Sequence, residues 1–211
     1  MAGYSGNSGL LAASIQYIIN VVMTVPALIW LDRWGRRKTL IIGAFLMMTF
    51  MFSNAGIMGG TGTVVPPEDR DKPELSMSVT GAPAKALIAC TYLFVASYAP
   101  TWGPVSWVYP PELYPLRVRG KAVALATSSN WVFNAALGAF VPPAFATIRY
   151  QVYIIFGVFC FAMLIHVIFL FPETAGKTLE DTAKMFEDPN GLPYIGTVSI
   201  FVYQVSRKRN S

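Results

Sequence analysis

Charge is missing from long stretches of this chain. No Asp, Glu, Lys or Arg occurs in 1–31, 39–67, 86–111, 122–148 or 150–172. A helix needs about 20 mostly apolar residues to cross the hydrocarbon of a bilayer. Placing one in each blank predicts five spans, at about 9–31, 39–58, 85–109, 122–146 and 150–171. Buried helices of a soluble protein would need a polar face on most of them, and none shows one. The chain is 54% hydrophobic and 13% charged, against about 25% charged in soluble domains. Lipid admits only structures that satisfy every backbone polar group internally, namely helices and closed barrels. Barrel strands alternate over segments of about 10 residues, and ASIQYIINVVMTVPALIW and YIIFGVFCFAMLIHVIFLF do not. The expected class is therefore all-α and integral to the membrane, with 1–171 as a helix bundle and 172–211 as a tail. The first span lacks a basic n-region and a small-residue cleavage site, and is too long for a signal core.

The charges are placed as informatively as the blanks. Arg33, Arg36, Arg37 and Lys38 follow the first span, Arg117, Arg119 and Lys121 the third, and Lys177, Lys184, Arg207, Lys208 and Arg209 the fifth. The other loops hold only four basic residues, Arg70, Lys72, Lys85 and Arg149, the first three diluted by Glu68, Asp69, Asp71 and Glu74. The positive-inside rule makes the first set cytoplasmic, so the C-terminus is expected inside. The net charge of +5 is thus a topology signal and not a nucleic-acid footprint. Segment 59–84, rich in Gly, Pro and charge, is expected to be an external, flexible loop. In the tail, Thr178 and Asp181 suggest an N-cap for a short helix to about Phe186, and Tyr194–Val205 is too short to span.

Two cysteines, Cys90 and Cys160, sit in different spans and form no disulfide framework or metal spacing. One His, His166, and no carboxylate cluster at membrane depth leave nothing from which to build a hydrolase or metal site. No enzyme, metal or cofactor is expected. His166 is expected to be a packing residue of the fifth span.

Polar groups inside the spans cost roughly 2–7 kcal/mol each when unsatisfied. In the fourth span Thr127, Asn130 and Asn134 fall at i, i+3 and i+7 on one face, flanked by Trp131. Counting about 1.5 Å per residue from Lys121, Trp131 lies about 15 Å deep, so it is not an interfacial belt residue. In the third span Pro100, Gly103 and Pro104 loosen the helix between Trp102 and Trp107. Broken helices at membrane depth are tolerated where they line a cavity. In the first span Gln16 and Asn20 share a face. Each patch has two readings, interhelical hydrogen-bonding glue or a ligand site, and spacing alone leaves both open.

Three charged clusters stand at expected helix ends: LDRWGRRK (31–38), PPELYPLRVRGK (110–121) and FPETAGKTLED (171–181). Their bland reading is topology anchoring. Their functional reading is a latch of Arg–carboxylate pairs, half buried and stronger than surface pairs. In this order, with GPVSW and SSNW between them, they resemble the signature of the sugar porters of the major facilitator superfamily, in particular the fungal hexose transporters. The resemblance runs over about 1–197. It implies that the five helices correspond to the eighth through twelfth of a twelve-helix carrier, a C-terminal fragment whose N-terminal half and seventh helix are missing. It implies Asn20, Gly103, Trp107, Asn130, Trp131 and Asn134 as substrate-binding positions. An aromatic face beside amides suits a sugar, whose C–H face stacks on indole while its hydroxyls bond amides. It also implies a cytoplasmic gating network of Arg33, Arg36, Glu112, Arg119 and Glu173 that stabilises the outward-facing state. Ala99 stands where some relatives carry a sugar-contacting Glu. The implied function is transport of a monosaccharide such as glucose by alternating access, inactive without the other half, in the plasma membrane. Partners are the sugar, the bilayer and the missing half; proton coupling would be set in that half. A sugar sensor on the same fold is the alternative, and the tail of about 40 residues is short for one.

Overall fold

The computed structural model describes residues 7–66, 76–114 and 116–171, with Thr174. Six helices and one hairpin follow in chain order: α1 (Asn7–Trp34), α2 (Arg36–Thr61), β1 (Thr63–Val64), β2 (Met77–Ser78), α3 (Ala82–Tyr98), α4 (Trp102–Leu113), α5 (Leu116–Thr147) and α6 (Gln151–Leu170). Each predicted span is helical, and half of the ten ends run beyond the charge-free blank. Helices need no lipid-compatible side chain once they emerge, so charged residues such as Arg33, Arg36 and Lys121 extend them. The tail features expected beyond Thr174 lie outside the described residues.

The turn from α1 to α2 is a single residue. Gly35 takes φ 87° there, a conformation open to glycine at little cost. The third predicted span is two helices: α3 ends at Tyr98 and α4 begins at Trp102. Thr101 answers the broken ladder by donating its hydroxyl to the Ser97 carbonyl at 2.5 Å.

α2 occupies the centre, packed on α6 and α3 and touching α1 and α4. Two glycines make this possible. A Cβ on Gly43 would overlap the Thr101 side chain and lie 3.0 Å from Trp102 Cδ1; one on Gly157 of α6 would lie 2.9 Å from the Phe52 ring. Trp102 reaches back across the same contact, donating Nε1–H to the Leu40 carbonyl at 3.1 Å. Leu31, Leu40, Val105, Tyr109 and Val167 form the core at the Arg-rich end. Met58, Met77, Val79, Ala84 and Leu87 form the core at the other end.

Met77 and Val79 belong to the segment expected to be a flexible loop, and that expectation needs correction. α2 continues to Thr61, and Thr63 and Val64 then pair antiparallel with Ser78 and Met77. Ser76, Met77 and Val79 are buried. Burial of two apolar side chains and a hydroxyl on the helix ends fixes the base of the loop, whatever its composition.

Among the described residues four stretches are long and apolar enough to cross a membrane: Leu10–Ala27, Arg36–Thr61, Ala82–Leu113 and Gln151–Leu170, at mean hydropathies of 1.6, 1.8, 1.3 and 2.6. α5 is long enough at 32 residues but is not among them; its polar stretch at 127–134 dilutes it.

If the Gly43 contact holds α2 on the α3–α4 break, Gly43→Ala should overpack it, at about 1–3 kcal/mol. The apparent melting temperature in detergent should then fall by several degrees. Gly56→Ala meets nothing within 4 Å and should not lower it. Equal behaviour of the two variants would rule out the close approach.

Candidate functional site

At the Arg-rich end the structure joins residues of all three charged clusters around Glu112. Arg36, in the first turn of α2, donates Nη2–H to Glu112 Oε1 at 2.8 Å and Nε–H to Oε2 at 3.2 Å. This is the two-pronged geometry that gives Arg–carboxylate pairs their strength and direction. The side chains are 11% and 24% exposed. At that depth breaking the pair leaves a partly desolvated charge, which costs more than an exposed pair would. Thr174, just past α6, donates its hydroxyl to Glu112 Oε2 at 2.9 Å. Glu112 therefore gathers the ends of α2, α4 and the segment after α6.

Arg37 adds a second tie. Its Nη2 donates to the Ile168 carbonyl at 2.6 Å, one of the last carbonyls of α6, which lack an intrahelical partner. A guanidinium at a helix C-terminus also meets the negative end of the helix dipole. Arg37 and Thr174 were missed as site residues by sequence reasoning. The signal for Arg37 was the second Arg of the pair: adjacent helix positions point about 100° apart and meet different neighbours.

The other expected members of the latch stand differently. Arg119 donates Nε–H to the Tyr114 carbonyl at 3.2 Å, and its Nη2 is buried without a hydrogen bond among the described residues. Arg33 is exposed at the end of α1 and makes no salt bridge among the described residues. Glu173 lies outside them.

The expected substrate positions fall on three elements. Asn20, half-buried on α1, is tied to the α3–α4 break through Thr24, whose hydroxyl donates to the Asn20 carbonyl at 2.8 Å and lies 3.5 Å from that of Ala99. Gly103 and Trp107 follow on α4, one turn apart, with Trp107 57% exposed. Trp102, the other aromatic beside the break, has its indole N–H committed to the Leu40 carbonyl. On α5, Asn130, Trp131 and Asn134 lie in a run, 128–140, that is exposed at every position. Asn134 Nδ2 donates to the Asn130 carbonyl of its own helix at 3.0 Å. Among the described residues these three patches are not packed into one closed pocket. Gln16 instead lines a cleft of about 220 Å³ with Leu87, Thr91, Tyr92 and Tyr153, between α1, α3 and α6. His166 sits edge-on to Phe171, with ring centroids 5.4 Å apart, as a packing residue would.

A bundle of apolar helices, with one span broken at Pro100 and a charged latch at one end, defines a multi-pass helical transporter domain. The profile of the sugar (and other) transporter family matches residues 1–186, and the chain belongs to that family. The MFS glucose transporter mfs1 of Aspergillus flavus is 47% identical over 195 residues, 92% of this chain and 36% of the relative. High-affinity glucose transporter 1 of Candida albicans is 49% identical over 190 residues, 89% of this chain and 35% of the relative. The chain thus spans about a third of the length of these curated relatives. Among solved structures, the major facilitator superfamily proton:xylose symporter XylE bound to 6-bromo-6-deoxy-D-glucose superposes with a TM-score of 0.67 at 29% identity, over 85% of this chain and 35% of that one. The fold is that of a helical major facilitator superfamily transporter. Relatives named as transporters agree with the reading of a chain that does no covalent chemistry.

The Arg36–Glu112 pair predicts strong non-additivity. In a thermal-unfolding double-mutant cycle, Arg36→Ala and Glu112→Ala should couple by about 1–3 kcal/mol. Arg36→Lys should recover only part of it, because an ammonium cannot make both bonds in the fork. Additive losses would mean that the two side chains act independently.

Proposed function

We propose that this chain is the C-terminal part of a monosaccharide carrier of the glucose-transporter type, working by alternating access and inactive without the rest of the carrier. In this reading α1, α2, α3 with α4, α5 and α6 are the eighth through twelfth helices, and α5 is a fifth span. The observation that carries it is the exposure of Trp107, Asn130 and Trp131 on helices of a transporter fold. An amide has no partner in hydrocarbon and an indole at mid-depth has no interface to anchor to. Both are explained if these faces line a water-filled path in which indole stacks on a sugar ring and amides bond its hydroxyls. The relatives named as glucose transporters supply the substrate class.

Asn20 joins this face because Thr24 binds its turn to the α3–α4 break. Gly103 and Pro104 at the start of α4 let that half-helix pivot with Trp107. At the other end the Arg36–Glu112 pair forms the latch, with Arg33 and Arg119 nearby in sequence and Glu173 next to Thr174, which bonds Glu112. Closed, it holds the cytoplasmic ends of α2 and α4 together and favours the outward-facing state; opened, it releases them. The Arg-rich end faces the cytoplasm, the C-terminus is inside, and the membrane is the plasma membrane. Any proton coupling is set in the two-thirds of the carrier that this chain does not span.

Two measurements test this. The 211-residue chain expressed alone in a transport-deficient cell should take up no labelled hexose; robust uptake would overturn the partial-carrier reading. In a full-length carrier containing this segment, Trp107→Ala and Asn130→Ala should each weaken glucose binding by about tenfold, roughly one hydrogen bond or stacking contact of about 1.4 kcal/mol. His166→Ala should leave it within twofold. Equal effects of all three would overturn the site.

A further inference from the structure

The last four carbonyls of an α-helix have no N–H donor within the helix. α5 ends at Thr147; Arg149 then takes φ 55° and the chain turns into α6. In that last turn the Ala144 carbonyl accepts from Ile148 N–H at 2.8 Å. The Phe145 carbonyl accepts from a residue 69 positions away: Ser76 donates its hydroxyl to it at 2.5 Å. Ser76 is 0% exposed. Its own carbonyl accepts Val65 N–H at 3.1 Å, which fixes it at the base of the β1–β2 hairpin. Met77 and Val79 beside it are buried against Met58, Ala84 and Leu87, with Tyr150 and Tyr153 packed on the same cluster. The Phe145 ring stands edge-on to Tyr153 at 5.4 Å. The hairpin thus supplies a tertiary cap to the end of α5.

This cap matters because α5 has so little else. Near its start, Arg119 bonds to the Tyr114 carbonyl. Between the two ends every residue of 128–140 is exposed. Pro142 and Pro143 have no N–H for the carbonyls one turn earlier, at Gly138 and Ala139. The backbone ladder is therefore weakest where the exposed run meets the capped turn. α5 is a beam supported at its ends, with a soft joint beside the outer support. Asn130 lies 14 residues from Leu116, about 21 Å along the axis. A tilt of about 3° at that lever arm displaces it by about 1 Å, a misplacement that can cost a hundredfold in a site that depends on positioning.

We propose that Ser76 is a positioning residue for the sugar site: by capping Phe145 it fixes the outer end of α5 and with it the angle at which Asn130 and Trp131 are presented. This rests on the reading of Asn130 and Trp131 as sugar contacts. The experiment is glucose titration, followed by tryptophan fluorescence, of a full-length carrier containing this segment, purified in detergent. Ser76→Ala should raise the Kd five- to tenfold, and Ser76→Cys, which keeps the volume with a weaker donor, should give an intermediate Kd. Thr63→Ala removes a hairpin bond to the Ser78 carbonyl that does not involve α5, and should leave the Kd within twofold. Asn130→Ala serves as the reference for the site itself. An unchanged Kd in Asn130→Ala would overturn the site reading. A weakened Asn130→Ala with an unchanged Ser76→Ala would overturn the Ser76 proposal alone, as would a lowered melting temperature in Ser76→Ala without a change in Kd. Should Ser76→Ala not reach the membrane, Ser76→Cys is read against the same limits, and a Kd equal to that of the unsubstituted carrier counts against the proposal.

Discussion

The approach of α2 to the α3–α4 break is the contact on which the rest of the bundle depends. A side chain at Gly43 would occupy the space of Thr101 and Trp102, so the two backbones meet only because that side chain is absent. Interfaces between membrane helices rely on such small residues, since lipid offers helices no hydrophobic reason to associate. Once α2 is seated there, the Trp102–Leu40 bond locks α4 to it. The same helix then presents Arg36 to Glu112 and Arg37 to the end of α6. Its far end leads directly into the hairpin that caps α5. One helix thus sets the position of the latch, the broken span and, through the loop that follows it, the outer end of the candidate site.

What could be read from the sequence followed from solvation. Charge-free blanks locate helices because an ionised group in hydrocarbon is so costly, and helix ends extend beyond the blanks because that cost vanishes at the interface. The gathering of Arg and carboxylate clusters at the helix ends was legible for the same reason. The break in the third span was legible from Pro100, Gly103 and Pro104, and falls at 99–101. The hairpin was not. Its strands are two residues each, too short for alternation to register, and their neighbours have the composition of a mobile loop. Gly43 was equally hidden, because a glycine in a membrane helix carries no sign of what passes opposite it. Ser76, Arg37 and Thr174 act through partners 62 to 131 positions away, which no local pattern encodes.

The candidate site was only half legible for a different reason. Spacing put Thr127, Asn130 and Asn134 on one face and left glue and ligand contact as equal readings. Glue would require a neighbouring helix to cover these side chains, yet every residue of 128–140 is exposed. Relatives about three times as long leave room for the missing wall to come from outside this segment. The candidate residues can therefore be placed on their helices, and in the proposed carrier their mutual distances depend on the rest of the protein.

The polar residues of that stretch are not equally informative. A serine or threonine hydroxyl in a helix can return its hydrogen to the carbonyl four residues earlier, as Ser129 does to Leu125 at 2.9 Å, and so satisfies itself in lipid. Asn134 does the same with one of its amide hydrogens. The Asn130 side chain, with two donors and an acceptor, makes no hydrogen bond among the described residues. Left in hydrocarbon it would cost roughly 2–7 kcal/mol, comparable to the marginal stability of a whole domain. A helix already less apolar than its neighbours has little reserve to absorb that. The face bearing Asn130 must therefore meet water, protein or a hydroxyl-rich ligand. A helix from outside this segment would supply such a partner, and so would the water-filled path proposed above, in which a sugar satisfies the amide and uses the indole at once.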